Sequence, residues 1–300
     1  MVVGTKRKWQ NKNMTDILPN EYMRSLLIRC IEEDGGIDGD VTTNSLDNSD
    51  QCGTFALNVR GWGVVAGLEP ITEVIDVFGD ISVTVLQREG AEVCDESIAI
   101  LKGHVKAILV AERTILNVMS YASGVATQTK KFVDKVAGTG CAICDTRKTT
   151  PGLRLLDKYA VTCGGGSSHR IGLHDAALYK DNHLAGMENI VSELGAAISY
   201  AKENNELQFV EVEVDTLTQL EQVLSLPVDI ILLDNMSPEL LREAVELRDA
   251  SDSSPLLEAS GGVTLDTVRE IAETGVDRIS IGGLVHQATW IDVGLDAIDA

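Results

Sequence analysis

The chain has 300 residues, with 46 Asp and Glu against 25 Lys and Arg, for a formal net charge of −21. That charge opposes nonspecific contact with a nucleic-acid backbone, and no apolar run is long enough to span a bilayer or to make Lys6, Arg7, Lys8 and Lys12 part of a secretory signal. Of the six cysteines only Cys141 and Cys144 form a CxxC, in an apolar run with no second pair nearby, so zinc is not expected and the thiols read as buried and reduced in a cytoplasmic protein.

Residues 1–19 read as a flexible basic arm. From Glu21 to Glu33, Met23, Leu26, Leu27, Cys30 and Ile31 recur at helical spacing, and Asp34-Gly35-Gly36 ends the run. Asp38 to Asp50 is polar and loop-like. Phe55–Val59 and Val64–Ala66 are expected as two strands around a Gly61-Trp62-Gly63 turn. Leu68 to Phe78 follows as a helix with Pro70 in its first turn, where proline is tolerated. Ile81–Val85 and Ile98–Val105 are strand candidates. Strands and helices without regular alternation suggest an α+β region.

The pattern then changes. Ile108 to Tyr121 is a long amphipathic helix, Ser123-Gly124 is expected to interrupt it, and Val125 to Val136 forms a second helix. Short apolar strands now alternate with helices. The strands are Ala142–Cys144, Phe209–Val214, Ile230–Leu233, Leu256–Ala259 and Arg278–Ile281. The helices are Gly152–Val161, Met187–Glu203, Leu217–Leu224, Pro238–Arg248 and Leu265–Glu273. Such units pair in parallel through right-handed crossovers and can close into a barrel, with the strand count left at six, seven or eight. Ile291 to Ala300 is expected to return to the first region.

In a parallel barrel the strand ends converge on one face, so that is where chemistry is sought. Arg147 and Lys148 follow the Cys144 strand; a guanidinium grips a carboxylate with two hydrogen bonds and an ammonium adds a point charge. A surface ion pair is the competing reading. Gly164-Gly165-Gly166 suits a mobile loop closing over a ligand, and His169-Arg170 adds two cation-capable groups. Lys180 can join them, with Asp181 to orient it. Glu211, Glu213 and Asp215 share one side of a strand, and inward carboxylates need a cation, a metal or a ligand. Asp215 also suits a helix cap. Glu213 and Asp234, on successive strand ends, suit a hard cation such as Mg²⁺, against which a salt bridge to a nearby Lys or Arg competes. Ser260-Gly261-Gly262 and Gly282-Gly283 end the last two strands, where exposed N–H groups suit a phosphate.

Several motifs resemble the quinolinate phosphoribosyltransferase family. They are Glu112-Arg113-Thr114-x-Leu116-Asn117, Ser123-Gly124-Val125-Ala126-Thr127, Thr146-Arg147-Lys148-Thr149-x-Pro151-Gly152-Leu153-Arg154 and Lys158-Tyr159-Ala160-Val161. Gly164-Gly165-Gly166, His169-Arg170-x-Gly172-Leu173, Lys180-Asp181-Asn182-His183, Glu211-Val212-Glu213-Val214, Leu233-Asp234-Asn235 and Glu258-x-Ser260-Gly261-Gly262 continue the resemblance in order. It implies an N-terminal α/β sandwich domain over residues 20–120, with residues 285–300 packing back on it, and an incomplete α/β barrel of parallel strands over residues 121–284.

The resemblance also implies a reaction: quinolinate and phosphoribosyl pyrophosphate give nicotinate mononucleotide, pyrophosphate and carbon dioxide, with Mg²⁺, in de novo NAD synthesis. Arg147, Lys148, His169, Arg170 and Lys180 match the quinolinate pocket, and Arg113 matches a residue that reaches into the partner subunit's site, so a homodimer or higher oligomer is implied. Lys148, Glu213 and Asp234 match the catalytic set, Glu213 and Asp234 being its magnesium and ribose carboxylates. Ser260, Gly261, Gly262, Gly282, Gly283 and His286 match the phosphate loops. Gly283-Leu284-Val285-His286-Gln287 departs from the family pattern around the matching histidine. Three other readings of the residues stay open: a phosphoribosyltransferase with another acceptor, a Schiff-base lyase using Lys148 or Lys180, and a phosphometabolite sensor.

Overall fold

The structure, a computed structural model, describes residues 17–36, 39–45 and 51–298, so most of the expected basic arm lies outside the described residues. Among the described residues no helix is long and apolar enough to cross a membrane.

Two sheets organise the chain. The first is antiparallel and four-stranded, ordered β10-β1-β3-β2. It is built from β1 (Cys52–Val64), β2 (Ile81–Val85), β3 (Glu92–His104) and β10 (Asp292–Ala297). Helix α1 (Asn20–Gly35) buries Met23, Leu26 and Leu27, and the short α2 (Leu68–Thr72) buries Leu68, Pro70 and Ile71. The expected turn at Gly61-Trp62-Gly63 is instead a bulge inside one continuous strand, with the β1–β3 register shifting between Val59 and Trp62. Gly61 sits at φ +81° and donates its N–H to Asp95 Oδ1 at 2.7 Å, so the glycine absorbs an irregularity without reversing the chain.

Helix α3 (Val105–Lys135) then runs unbroken for 31 residues. The break expected at Ser123-Gly124 is a contact face. Ser123 Oγ accepts the Ala66 N–H at 3.0 Å, and Thr127 Oγ1 accepts the Val64 N–H at 2.8 Å. A Cβ on Gly124 would stand 2.5 Å from the Thr289 carbonyl oxygen, so glycine is there to admit the segment leading into β10. β10 pairs antiparallel with β1, from Phe55 opposite Ala297 to Arg60 opposite Asp292, as the return of the C-terminal segment required.

The second sheet is parallel and six-stranded, ordered β4-β9-β8-β7-β6-β5. Its strands are β4 (Ala142–Cys144), β5 (Ala177–Tyr179), β6 (Val210–Val214), β7 (Ile230–Asp234), β8 (Leu256–Ser260) and β9 (Arg278–Ser280). Between them run α4 (Arg154–Cys163), α5 (Asp181–Leu184), α6 (Ile190–Asn204), α7 (Leu217–Val223), α8 (Pro238–Ala250) and α9 (Val268–Ala272), and α10 (Gly283–His286) follows β9. Ser237 caps α8 with Pro238 behind it, and Thr216, rather than Asp215, caps α7 in a capping box with Gln219. β5 is a strand not among those expected from the sequence.

All six cysteines are free thiols, but Cys52 and Cys94 are exposed on the antiparallel sheet rather than buried.

Candidate active site

The C-terminal ends of the parallel strands open into a cavity of about 750 Å³. Arg147, Lys148, His169, Arg170 and Lys180 line it together with Glu213 and Asp234, Ser260, Gly261 and Gly262, and Gly282, Gly283 and His286. Thirteen residues from well-separated stretches of sequence thus meet because parallel strands deliver their following loops to one face. Arg113 does not join them; it is exposed on α3 and lines no part of this cavity.

The basic loop after β4 is held by polar contacts, two of them to the buried carboxylate of Asp157. Asp157 on α4 accepts the Thr150 N–H at 2.8 Å and the Tyr121 hydroxyl, and Tyr22 on α1 donates to the Gly152 carbonyl at 2.6 Å. Lys148 lies across Gly282, where a Cβ would stand 2.7 Å from Lys148 Cδ and 3.2 Å from His286 Nε2. The first and last strands of the motif series are therefore in contact. His286 keeps its place in the cavity wall despite the altered residues around it.

Ser167–Arg170 is fixed from below. Lys158 and Asp145 form an ion pair with no exposure, at 2.7 and 2.8 Å. Asp145 Oδ1 also accepts the His169 N–H at 2.6 Å. Asp175 takes the Ile171 and Gly172 N–H groups, both at 2.9 Å. Gly164-Gly165-Gly166 is not a mobile lid. A Cβ on Gly164 would meet the Ala126 carbonyl at 2.3 Å, and one on Gly166 would meet Thr129 and Val161 within 2.8 Å. The glycines let the end of α4 pack directly on α3.

Burial, and then the like charge of Arg147, lower the pKa of Arg170. Two guanidiniums pressed against each other's field form a receptor that an anion relieves. Lys180 is ion-paired with Glu213 across the cavity wall, and the expected orienting residue, Asp181, is exposed. Asn235, which the sequence reading did not single out as a site residue, sits at φ +53°, donates to Asp234 Oδ2 at 2.6 Å and packs its side chain on Gly261. It couples the carboxylate turn to the glycine turn.

Two carboxylate groupings bear on metal binding. Glu213 and Asp234 are hard oxygen donors on the ends of adjacent strands and face the open cavity. His169, Glu211 and Glu258 place ligand atoms within 4.8 Å of one another but are buried, the two glutamates outside the cavity lining. There His169 Nδ1 accepts the Arg170 N–H at 2.7 Å, which leaves a proton on Nε2 between the carboxylates. Arg278 Nε already stands 2.8 Å from Glu258 Oε2. A protonated Nε2 has no lone pair for a metal, and Arg278 supplies positive charge, so this group is an ion network.

Residues 40–123 match the N-terminal domain of quinolinate phosphoribosyl transferase and residues 125–296 its C-terminal domain. The chain belongs to the quinolinate phosphoribosyltransferase family. It is 40% identical over 277 residues to the nicotinate-nucleotide pyrophosphorylase [carboxylating] of Mycobacterium leprae (strain TN), covering 91% of this chain and 96% of that protein. It is 35% identical over 276 residues to the probable nicotinate-nucleotide pyrophosphorylase [carboxylating] of Bacillus subtilis (strain 168), covering 91% and 93%. Among solved structures, the nicotinate-nucleotide pyrophosphorylase from Francisella tularensis superposes with a TM-score of 0.87 at 36% identity, covering 96% of this chain and all of that one. Both the antiparallel domain and the parallel sheet are therefore family features in this phosphoribosyltransferase relative.

Proposed function

We propose that the chain transfers the 5-phosphoribosyl group from phosphoribosyl pyrophosphate to quinolinate and decarboxylates the product, releasing nicotinate mononucleotide, pyrophosphate and carbon dioxide in de novo NAD synthesis. One observation carries the reading: a single cavity lined by the cations Arg147, Lys148, Arg170 and Lys180 together with the carboxylates Glu213 and Asp234 and the glycine turns. In a chain with a net charge of −21, such a cluster is built for an anion.

The chemistry follows from the placement. The cations hold the two carboxylates of quinolinate and turn its ring nitrogen toward C1 of the ribose, so positioning supplies much of the rate. The Ser260–Gly262 and Gly282–Gly283 turns offer backbone N–H groups to the 5′-phosphate. Glu213 and Asp234 stand where positive charge develops at C1 as pyrophosphate leaves. The C1–N bond makes the ring nitrogen cationic. It accepts the electron pair of the breaking C2–carboxylate bond, and a proton then fills C2.

Glu213 and Asp234 fit Mg²⁺, which takes few protein oxygens and keeps waters or phosphate oxygens. When bound there, the ion would neutralise the leaving pyrophosphate. Arg113 is proposed to enter the cavity of a second copy in a homodimer. A Schiff-base lyase is disfavoured because Lys180 is ion-paired with Glu213 and Lys148 is exposed, whereas an amine nucleophile needs a desolvated setting.

The test is a coupled measurement of pyrophosphate and carbon dioxide release, with quinolinate and nicotinate compared as acceptors. Both products should appear with quinolinate, and Arg147→Ala should cut kcat/KM for quinolinate by roughly a hundredfold or more, the loss of a bidentate charged contact. Near-normal turnover by that variant would remove the pocket assignment.

A further inference from the structure

At the cavity floor and just under it, four buried ionisable side chains cluster. His169 Nε2 is 3.0 Å from Glu211 Oε2 and 3.3 Å from Glu258 Oε1, and Glu258 Oε2 meets Arg278 Nε at 2.8 Å. All four residues are buried, the two glutamates completely. Two carboxylates and one guanidinium leave one negative charge uncancelled, directly beneath a pocket whose proposed ligand is a dianion. A second proton on the imidazole removes that charge and gives the pocket a cation.

We propose that Glu258, assisted by Glu211, is a positioning residue that keeps His169 cationic, and that this sets the preference of the pocket for a pyridine bearing two carboxylates over one bearing a single carboxylate. The preference rests on the quinolinate reading; the charge of His169 does not.

Other groups around the ring bear on the balance. Asp145, at the end of β4, and Lys158, on α4, reach the His169 backbone but neutralise each other. Arg278 and Arg170 disfavour another cation. The Phe209 ring stands edge-on at 5.4 Å and offers no proton acceptor. The Arg170 N–H on Nδ1 favours a single proton, and the second proton ends that hydrogen bond. One backbone hydrogen bond is a smaller loss than an unpaired buried charge, so charge balance prevails. Burial opposes the ring's charge, but Glu258 and Glu211 outweigh burial and raise the His169 pKa to about 10.

The experiment follows His169 in the unliganded protein by ¹⁵N NMR of histidine-labelled samples across pH, and steady-state kinetics with quinolinate and nicotinate. His169 should be an imidazolium at neutral pH, and Glu258→Gln should lower its pKa by roughly two units, the scale of a lost buried charge contact. In that variant KM for quinolinate should rise about tenfold above the new pKa, with KM for phosphoribosyl pyrophosphate little changed, and fall back at lower pH. Glu258→Asp, which keeps the charge, should retain the imidazolium. Should Glu258→Gln fail to fold, Glu211→Gln gives the same readout. An ordinary His169 pKa in the parent, or no shift in either Gln variant, overturns the proposal. A cationic His169 in a protein that releases no pyrophosphate with either acid would instead overturn the quinolinate reading and leave the charge assignment standing.

Discussion

The Tyr22 hydroxyl donates to the Gly152 carbonyl at 2.6 Å, so the first helix of the antiparallel domain fastens the loop that carries Arg147 and Lys148. That one bond spans 130 positions of sequence. Tyr22→Phe should lose about 1 kcal/mol of stability, the net worth of a typical hydrogen bond. KM for quinolinate should rise more than KM for phosphoribosyl pyrophosphate, because only the basic loop is released. Urea denaturation and steady-state kinetics on the same preparation check both.

Lys158 and Asp145 are the most exposed to single substitution, because each is the buried partner of the other. Lys158→Met should destabilise the protein by about 3–5 kcal/mol, since it strands a carboxylate out of water. The double variant Lys158→Met with Asp145→Leu should recover much of that loss. It should still be poorly active, because Asp145 also receives the His169 N–H. Thermal melts and turnover measured together would separate the two roles.

Asp157 supplies a pH signature. Burial is the main reason that its pKa is raised to about 6 from the ordinary 3.8, outweighing the Tyr121 and Thr150 hydrogen bonds. The folded state therefore holds this proton more tightly than the unfolded chain does. Its contribution to stability is full below the unfolded value and is lost as pH rises through about 6. Asp157→Asn removes the titration while keeping an acceptor for the Thr150 N–H. Relative to the parent, the variant should gain on the order of 2–3 kcal/mol between acidic and slightly alkaline pH. Denaturation curves of both proteins at about pH 4 and about pH 8 would show it.

Gly261 has φ +101°, and a Cβ there would stand 2.0 Å from Asn235 Oδ1. Gly261→Ala should force the Asn235 turn away from Asp234 and impair phosphoribosyl pyrophosphate use about a hundredfold in kcat/KM, with quinolinate binding measured by calorimetry little affected. An alanine variant with parental kinetics would show that the turn has no part in phosphate binding.

What could be read in the sequence depended on whether a feature is local. The apolar strands ending in Cys144, Asp234 and Ser260 announced a parallel sheet, because buried strands show as short apolar runs and each ended in chemistry-bearing residues. Ala177–Tyr179 did not, because a three-residue edge strand carries too little pattern. Ser123-Gly124 and Gly164–Gly166 were misjudged for one shared reason. Glycine serves close packing as well as freedom, and only the approaching backbone of Thr289 or Ala126 tells which. The carboxylate partners of His169 were invisible, since Glu211 comes from β6 and Glu258 from β8, and only the folded sheet brings them to the loop after α4. The basic cluster was legible because an acidic background makes it stand out.

The return of β10 to β1 has a consequence for biogenesis. A ribosome delivers β1 early and β10 only after all six strands of the parallel sheet, so β1 presents an open hydrogen-bonding edge through most of translation. The nascent protein can close its catalytic half before its first sheet acquires an outer strand. During that interval the unzipped edge of β1 is the place where a chaperone, or another nascent copy, would seize it.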